Sequence, residues 1–249
     1  MEEAAFLNPA GLAFFQQASA FYQQNNMEIK NANGDIVQKP KSHGFVLADG
    51  NQTLSGSLSY TQQEEGQFRR KRWGFSTASA VTQTTSFGAS IRKTKDDDLN
   101  TQTTRDYYQT VFGVIHAISE KTSIGIVSYD AFNSKGDETK AMVGFQHLFV
   151  DYITLSFDFA GNYNADEISD TLLYRGAAQV RVLNDFYLRF GAFNDKAREE
   201  KGNGYGLAWV QPRLAFEFAM KNTTLKESQK LARNESKIKD IAFSMSVRF

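Results

Sequence analysis

The side chains able to do chemistry in this sequence are mostly charged groups placed at every second residue. Arg175, Gln179 and Arg181 alternate with Tyr174, Ala178, Val180 and Val182, and Tyr187 and Arg189 alternate with Phe186, Leu188 and Phe190. Arg213 and Glu217 alternate with Leu214, Phe216 and Phe218, while Asp158 stands between Phe157 and Phe159. Alternate residues of a strand point to opposite faces, so each segment places its charges on one face and its apolar groups on the other. Arg72, Arg92, Asp158, Arg175, Arg181, Arg189, Arg213 and Glu217 are therefore expected to line one enclosed, polar surface. Arginines outnumber acids in that set. An open channel so lined would favour anions, whereas in a closed one the same groups would pair and fill space.

Other candidate chemistries are weaker. The chain has no cysteine, which excludes disulfides and thiolate metal sites. His43, His116 and His147 lie far apart with no metal-ligand spacing, and Gln146-His147-Leu148 offers no nucleophile beside its histidine. Asp96-Asp97-Asp98 has oxygen ligands for Ca²⁺ but neither the spacing nor the glycine of a calcium loop, so a solvated loop tip is the expectation. No metal or cofactor is expected. The 28 Lys and Arg residues balance the 28 Asp and Glu residues, which gives no electrostatic reason to bind nucleic acid.

The elements that must hold these groups are strands whose outer face is wholly apolar. Ile153, Leu155, Phe157 and Phe159 alternate with Thr154, Ser156, Asp158 and Ala160; at the end of the chain Ile241, Phe243, Met245, Val247 and Phe249 alternate with Ala242, Ser244, Ser246 and Arg248. An apolar outside around a charged inside inverts a soluble barrel. It fits an all-β, antiparallel transmembrane barrel, in which Ile153, Leu155, Phe157, Phe159, Phe243, Met245 and Phe249 face lipid. No apolar run reaches the roughly 18 residues a membrane helix needs.

The expected organisation is a short segment over residues 1–12 followed by a barrel over 13–249, with strand one at Ala13 to Gln23 and a polar segment from Asn25 to Ser42. Tight turns fall near Gly50-Asn51, Thr84-Thr85, Glu120-Lys121, Val150-Asp151, Asn184-Asp185 and Gln211-Pro212. Long loops alternate with them at Gln62 to Phe68, Lys95 to Thr104, Asn133 to Thr139, Tyr163 to Asp170, Asp195 to Gly202 and Asn222 to Lys237. Breaking the run Gly204 to Lys221 at Pro212, which cannot donate to a ladder, gives about fourteen strands with both termini periplasmic. Twelve is the alternative if the hairpin near His43 to Leu47 is lost. Keeping both arginine-bearing strands in phase predicts the cross-strand pairs Arg181 with Tyr187 and Gln179 with Arg189. No leader peptide precedes the barrel (Met1-Glu2-Glu3), so the mature chain is expected.

The stretch Glu2-Glu3-Ala4-Ala5-Phe6-Leu7-Asn8-Pro9-Ala10-Gly11-Leu12-Ala13, with its N-P-A motif, resembles the start of the FadL-like (long-chain fatty acid transporter) superfamily of outer-membrane barrels. The hairpin from Phe112-Gly113-Val114 to Thr122-Ser123-Ile124-Gly125-Ile126, and the stretches Gly204 to Ala208 and Phe216 to Ala219, resemble it too. The family has a longer N-terminal plug and longer loops. The resemblance implies a bacterial outer-membrane barrel, not an enzyme, that passes or binds small hydrophobic or anionic solutes. A second resemblance, to porin-like proteins that form rings enclosing lipid, implies an oligomeric structural barrel instead. A lipid-modifying enzyme is the third possibility, and it lacks a motif. The terminal strand ending in Phe249 resembles the signal read by the barrel assembly machinery. Outer-membrane lipid and lipopolysaccharide are the other expected partners, the latter through Arg69-Arg70-Lys71-Arg72. Small outward residues at Gly56, Thr77, Ser79 and Ala89 mark the expected homo-oligomer interface.

Overall fold

The structure, a computed structural model, describes residues 7–15, 17–51, 53–136, 138–228 and 233–249. Residues 1–6 of the expected N-terminal segment, including Glu2 to Phe6 of the motif stretch, lie outside the described residues. So do residues 229–232 of the expected loop Asn222 to Lys237.

Fifteen strands follow one another. The first seven are β1 (Ser19–Asn31), β2 (Ile36–Gln38), β3 (Lys41–Ala48), β4 (Ser55–Glu65), β5 (Phe68–Ala80), β6 (Thr85–Asp98) and β7 (Thr103–Ser119). Then come β8 (Thr122–Tyr129), β9 (Lys140–Phe149), β10 (Ile153–Gly161), β11 (Leu173–Leu183), β12 (Phe186–Asp195), β13 (Glu200–Val210), β14 (Leu214–Leu225) and β15 (Ser236–Arg248). Each of the longer strands pairs antiparallel with its sequence neighbours, and β15 pairs with β1 from Ser19–Arg248 to Asn31–Ser236. The sheet is thereby closed into a fourteen-strand barrel; β2 is only a short flap on the β1–β3 hairpin. Fourteen, not twelve, is correct, because β3 forms around His43 and the run at Gln211-Pro212 breaks.

The lateral order follows from backbone accounting. In hydrocarbon an unpaired N–H or C=O costs several kcal/mol, so a membrane sheet must have no edge. Side chains obey the expected alternation. Phe157, Phe159 and Phe243 are exposed on the outer surface, while Ser244 and Ser246 are buried inside. The amide of Phe249 donates to the Ala18 carbonyl at 2.9 Å, which ties the last residue to the start of β1. Arg181 faces Tyr187 and Gln179 faces Arg189 as expected, with the register shifting between Arg181 and Leu183.

Three expectations are corrected. Ala13 to Gln23 is not strand one: Pro9–Phe14 is a 3₁₀ turn inside the barrel, and β1 starts at Ser19. Leu12 and Phe15 give that stretch its strand-like apolarity because they are buried in the interior. The polar segment from Asn25 to Ser42 does not follow the first strand but is largely strand itself, since β1 runs to Asn31 and β3 begins at Lys41. Gln62 to Phe68, Lys95 to Thr104 and Asp195 to Gly202 are likewise strand extensions joined by short turns, one at Gly66 with φ +57°. Backbone pairing continues there although the side chains are polar, because a ladder needs only partners and the side chains have left the apolar zone. Long loops are therefore confined to other parts of the same end.

Placing Arg at Phe157, mid-strand on the outer face, should cost about 2–4 kcal/mol of stability in lipid. Arg at the neighbouring Ser156, which faces the interior, should cost little. Urea unfolding from lipid vesicles measures both, and equal losses would contradict the assignment of faces.

Candidate functional site in the barrel lumen

The interior is organised by the N-P-A motif. Asn8 caps the 3₁₀ turn: its side-chain oxygen accepts the Ala10 amide at 3.1 Å, and Pro9 occupies the first turn where no donor is missed. The Asn8 side-chain nitrogen points the other way, toward the Val114 and Ile126 carbonyls at 3.4 and 3.5 Å. The Ser86 hydroxyl donates to the Ala10 carbonyl at 2.9 Å, and the Tyr129 hydroxyl donates to that of Leu7. This close approach to β6 and β7 needs glycine. A Cβ on Gly88 would lie 2.3 Å from the Ala10 nitrogen, and one on Gly113 would lie 2.0 Å from the Asn8 side-chain oxygen. Below the motif, Leu12 and Phe15 pack with Phe21, Val46, Ala48 and Ala78, closing the β1–β5 side of the lumen near the short turns. The N-terminal segment thus fills one side and leaves the opposite wall bare.

That bare wall forms a cavity of about 580 Å³ lined by β10 to β14 together with Lys140 of β9 and Arg198. Its inward residues are small at mid-height (Ser156, Ala177, Gly191, Gly206, Ala219), with Arg189 and Glu217 on its floor. Arg189 makes a two-pronged ion pair with Glu217 at 2.8 and 3.0 Å and donates to Gln179 at 2.8 Å. A second cavity of about 570 Å³ lies toward the long loops, lined by Arg72, Arg92, Tyr129, Lys140, Arg175 and Arg198 among others. Beneath it runs an apolar band of Val111, Val127, Met142, Ala160 and Leu173, flanked by Tyr129 and Phe193. Leu173, Lys140 and Arg175 line both cavities. The lumen therefore presents an apolar band beside a cationic surface.

On the β5–β7 side the charges are paired. Arg70 binds Asp96 through two nitrogens at 2.7 and 2.9 Å, and Arg72 reaches Thr94 at 2.8 Å, Gln109 at 3.2 Å and Glu138 at 3.0 Å. Glu138 comes from the loop between β8 and β9, and Lys135 of the same loop stands 3.3 Å from it and 3.5 Å from Asp96. Asp130 anchors this loop by accepting the amides of Ser134 and Lys135 at 3.0 and 2.7 Å. Burial pushes the Glu138 carboxyl up, but Arg72, Gln109, Arg70 and Lys135 together hold it below the ordinary range.

Of the expected lumen residues, Arg72, Arg92, Asp158, Arg175, Arg189 and Glu217 border these cavities. Arg181 lines a shallow recess at the turn end with Tyr152 and Asp185, and Arg213 lies in the turn before β14. Sequence reasoning missed Glu138, Lys140, Asp96 and Arg70. Period two could have placed Asp96 and Arg70, had their segments been read as strands. Glu138 carried no signal, because it enters from a loop. The excess of inward arginine over acid is consequently smaller than expected. The run Arg69 to Arg72 is divided as well: Arg70 and Arg72 face inward, and Arg69 pairs with Glu64 at 3.2 Å. Asp96 to Asp98 belongs to β6, not to a loop tip.

Outside the barrel, Thr77 and Ser79 donate to the Ser55 and Thr53 carbonyls at 3.1 and 2.8 Å, so both hydroxyls already have partners at the neighbouring start of β4. His116 and His147 sit beside Thr85 and Thr122 at 2.9 and 2.8 Å. Neither pair has a carboxylate completing a catalytic arrangement among the described contacts. Among the described residues no group of His, Asp and Glu is placed to hold a metal ion.

A closed barrel with an apolar exterior, a charged lumen and an inward-folded N-terminal segment defines a transmembrane β-barrel of the outer-membrane type. No protein-family model matches the sequence, and no curated protein is significantly similar to it. Solved structures share the fold. The monoaromatic hydrocarbon channel CymD superposes with a TM-score of 0.75 at 12% identity, covering 100% of this chain and 93% of that one. The Ralstonia pickettii toluene transporter TbuX gives 0.71 at 12% identity, and a Pseudomonas aeruginosa FadL homologue gives 0.70 at 13%. Each covers 100% of this chain, and the match spans 94% of each of those chains. The fold is thus the one expected from the N-P-A stretch.

Two outcomes test this interior. The chain has no native cysteine, so Ala10→Cys supplies a single reporter, buried and unreactive toward a thiol reagent. Adding Gly88→Val should expose it while the barrel keeps its heat-modifiable mobility; continued protection would mean that the segment does not need that glycine. The second outcome concerns acid. A carboxyl whose folded pKa is depressed contributes stability above its unfolded value, about 4.3, and loses it as pH falls toward the folded one. A dye attached at Ser134→Cys should report loosening of the loop in that acid range, and Glu138→Gln should remove the pH step.

Proposed function

We propose that this chain sits in the bacterial outer membrane with its long loops outward, and passes small hydrophobic or amphipathic anionic solutes through its lumen. The observation that carries this reading is the pair of cavities sharing Leu173, Lys140 and Arg175, beside a wall whose inward side chains are reduced to Gly, Ala and Ser. Cavities of this size fit a small organic molecule. The apolar band gives a hydrocarbon body a place to rest, and Arg92, Lys140 and Arg175 offer charge to a carboxylate or similar group. The described hydrocarbon channels and transporters with the same fold support the same class of cargo. Neighbours of that kind also fit a protein that is not an enzyme.

The alternative is an oligomeric barrel that organises lipid. In its favour, Gly56, Thr77, Ser79 and Ala89 form a smooth outward strip, and the hydroxyls of Thr77 and Ser79 are satisfied without a partner. Such a strip packs closely against a second copy by shape alone.

Uptake by proteoliposomes decides between the two. Wild-type protein should admit benzoate and toluene, and Ala177→Trp, which fills the bare wall, should block entry without unfolding the barrel. Arg175→Gln should slow benzoate more than toluene. Vesicles that admit neither solute, with protein recovered as a stable oligomer, would favour the structural barrel.

A further inference from the structure

The outer surface of β5 and β6 carries a feature the lumen does not explain. Lys71 and Lys95 are direct cross-strand partners on the outward face. Like charges so placed repel each other and destabilise the pair. Lys95 has one carboxylate, Asp97 at 3.4 Å, whose oxygen also accepts the Thr104 hydroxyl at 2.7 Å. Asp106 is opposite Lys95 on its other side, and Glu64 is taken by Arg69 at 3.2 Å. Asp97 also interacts electrostatically with Lys71, at longer range than with Lys95.

The next outward rung toward the membrane centre is Trp73, Lys93 and Tyr108, and the one after it is Phe75, Ile91 and Thr110. Rungs on one face are about 6.6 Å apart along a strand. Trp73 and Tyr108 are more than half exposed, Tyr60 packs against Trp73 with ring centroids 4.6 Å apart, and Lys93 lies over the Tyr108 ring at 5.9 Å. Aromatic side chains of this kind mark the interface between headgroups and acyl chains. A cationic rung thus stands one step above the aromatic girdle, and an apolar rung one step below it. The opposite end of the barrel differs: Lys121 is paired with Asp151 at 2.7 Å, and Thr–His pairs occupy the outer face.

We propose that Lys71, Lys93 and Lys95 bind a phosphate group of lipopolysaccharide, whose acyl chains lie along Trp73, Phe75 and Ile91. Charge fits, because a phosphate between Lys71 and Lys95 turns their repulsion into two attractions. Height fits too, because the phosphate of a lipid sits directly above the girdle that holds its chains. This assignment rests on the outward placement of the loop end proposed above, but not on solute passage. It also replaces the basic run Arg69 to Arg72 as the contact: two of those arginines face the lumen, and Lys93 and Lys95 come from the next strand.

Native mass spectrometry of the full chain in mild detergent tests it, with diphosphorylated lipid A, phosphate-free lipid A and phosphatidylglycerol as probes. Wild-type protein should retain the diphosphorylated lipid in preference to the other two. The triple variant Lys71→Gln, Lys93→Gln, Lys95→Gln should bind it on the order of a hundredfold more weakly, taking the usual contribution of each surface lysine near an anionic lipid. Lys121→Gln should leave binding unchanged. Gel mobility with and without heating establishes that each variant is folded. Equal retention by the triple variant, equal retention of phosphate-free lipid or phosphatidylglycerol, or no retention by wild type would each overturn the proposal. All of these readings are independent of proteoliposome uptake, so either proposal can fail alone.

Discussion

Everything in this protein depends on the pairing of β1 with β15. A sheet in hydrocarbon cannot leave a row of amides and carbonyls without partners, so the first and last strands must meet along their length, as they do from Ser19–Arg248 to Asn31–Ser236. Closure fixes an inside and an outside for every residue. Once those faces exist, the period-two pattern decides the rest: phenylalanine and leucine toward lipid, serine, glycine and charge toward the lumen. The charged interior is tolerable only because the same wall keeps it among its own partners.

The interior then divides its space unequally. Gly88 and Gly113 let the Asn8-Pro9-Ala10 turn lie against β6 and β7, so the N-terminal segment occupies one flank without pushing the wall outward. Arg70, Arg72, Asp96 and Glu138 tie the loop between β8 and β9 across that same flank. The opposite flank has small side chains, and the first cavity forms there; the second reaches across to Arg72, Arg92 and Gln109. Asymmetry of filling, set by where glycine is needed for packing and where it is not, leaves a defined space along the β10 to β14 wall. Ion pairs on the floor of that space, such as Arg189 with Glu217, fix long side chains that would otherwise sweep through it.

The exterior repeats the logic on a different axis. Around the barrel the residues alternate between faces, and along it they change from apolar to aromatic to charged. Lys71, Lys93 and Lys95 belong to that vertical grading, and their setting is legible only when β5 and β6 are extended past the membrane zone. Polar strand extensions are therefore continuous ladder, not failed loops.

The sequence by itself determined the barrel class, the break at Pro212 and the cross-strand pairs of Arg181 and Gln179, and narrowed the count to fourteen strands or twelve, because each rests on alternation and on turn residues, which are local. It could not place the N-P-A stretch, since Leu12 and Phe15 look the same whether their apolar partner is lipid or a barrel interior. Nor could it show that Gln62 to Phe68 and Lys95 to Thr104 remain paired, because side-chain polarity measures distance from the lipid and not continuity of the ladder. Glu138 was invisible for a third reason: a loop residue meets Arg70 and Arg72 only after the three intervening strands β6, β7 and β8 have paired and curved to bring it there. Contacts across the lumen join residues far apart in the chain, and only closure of the barrel decides which of them meet.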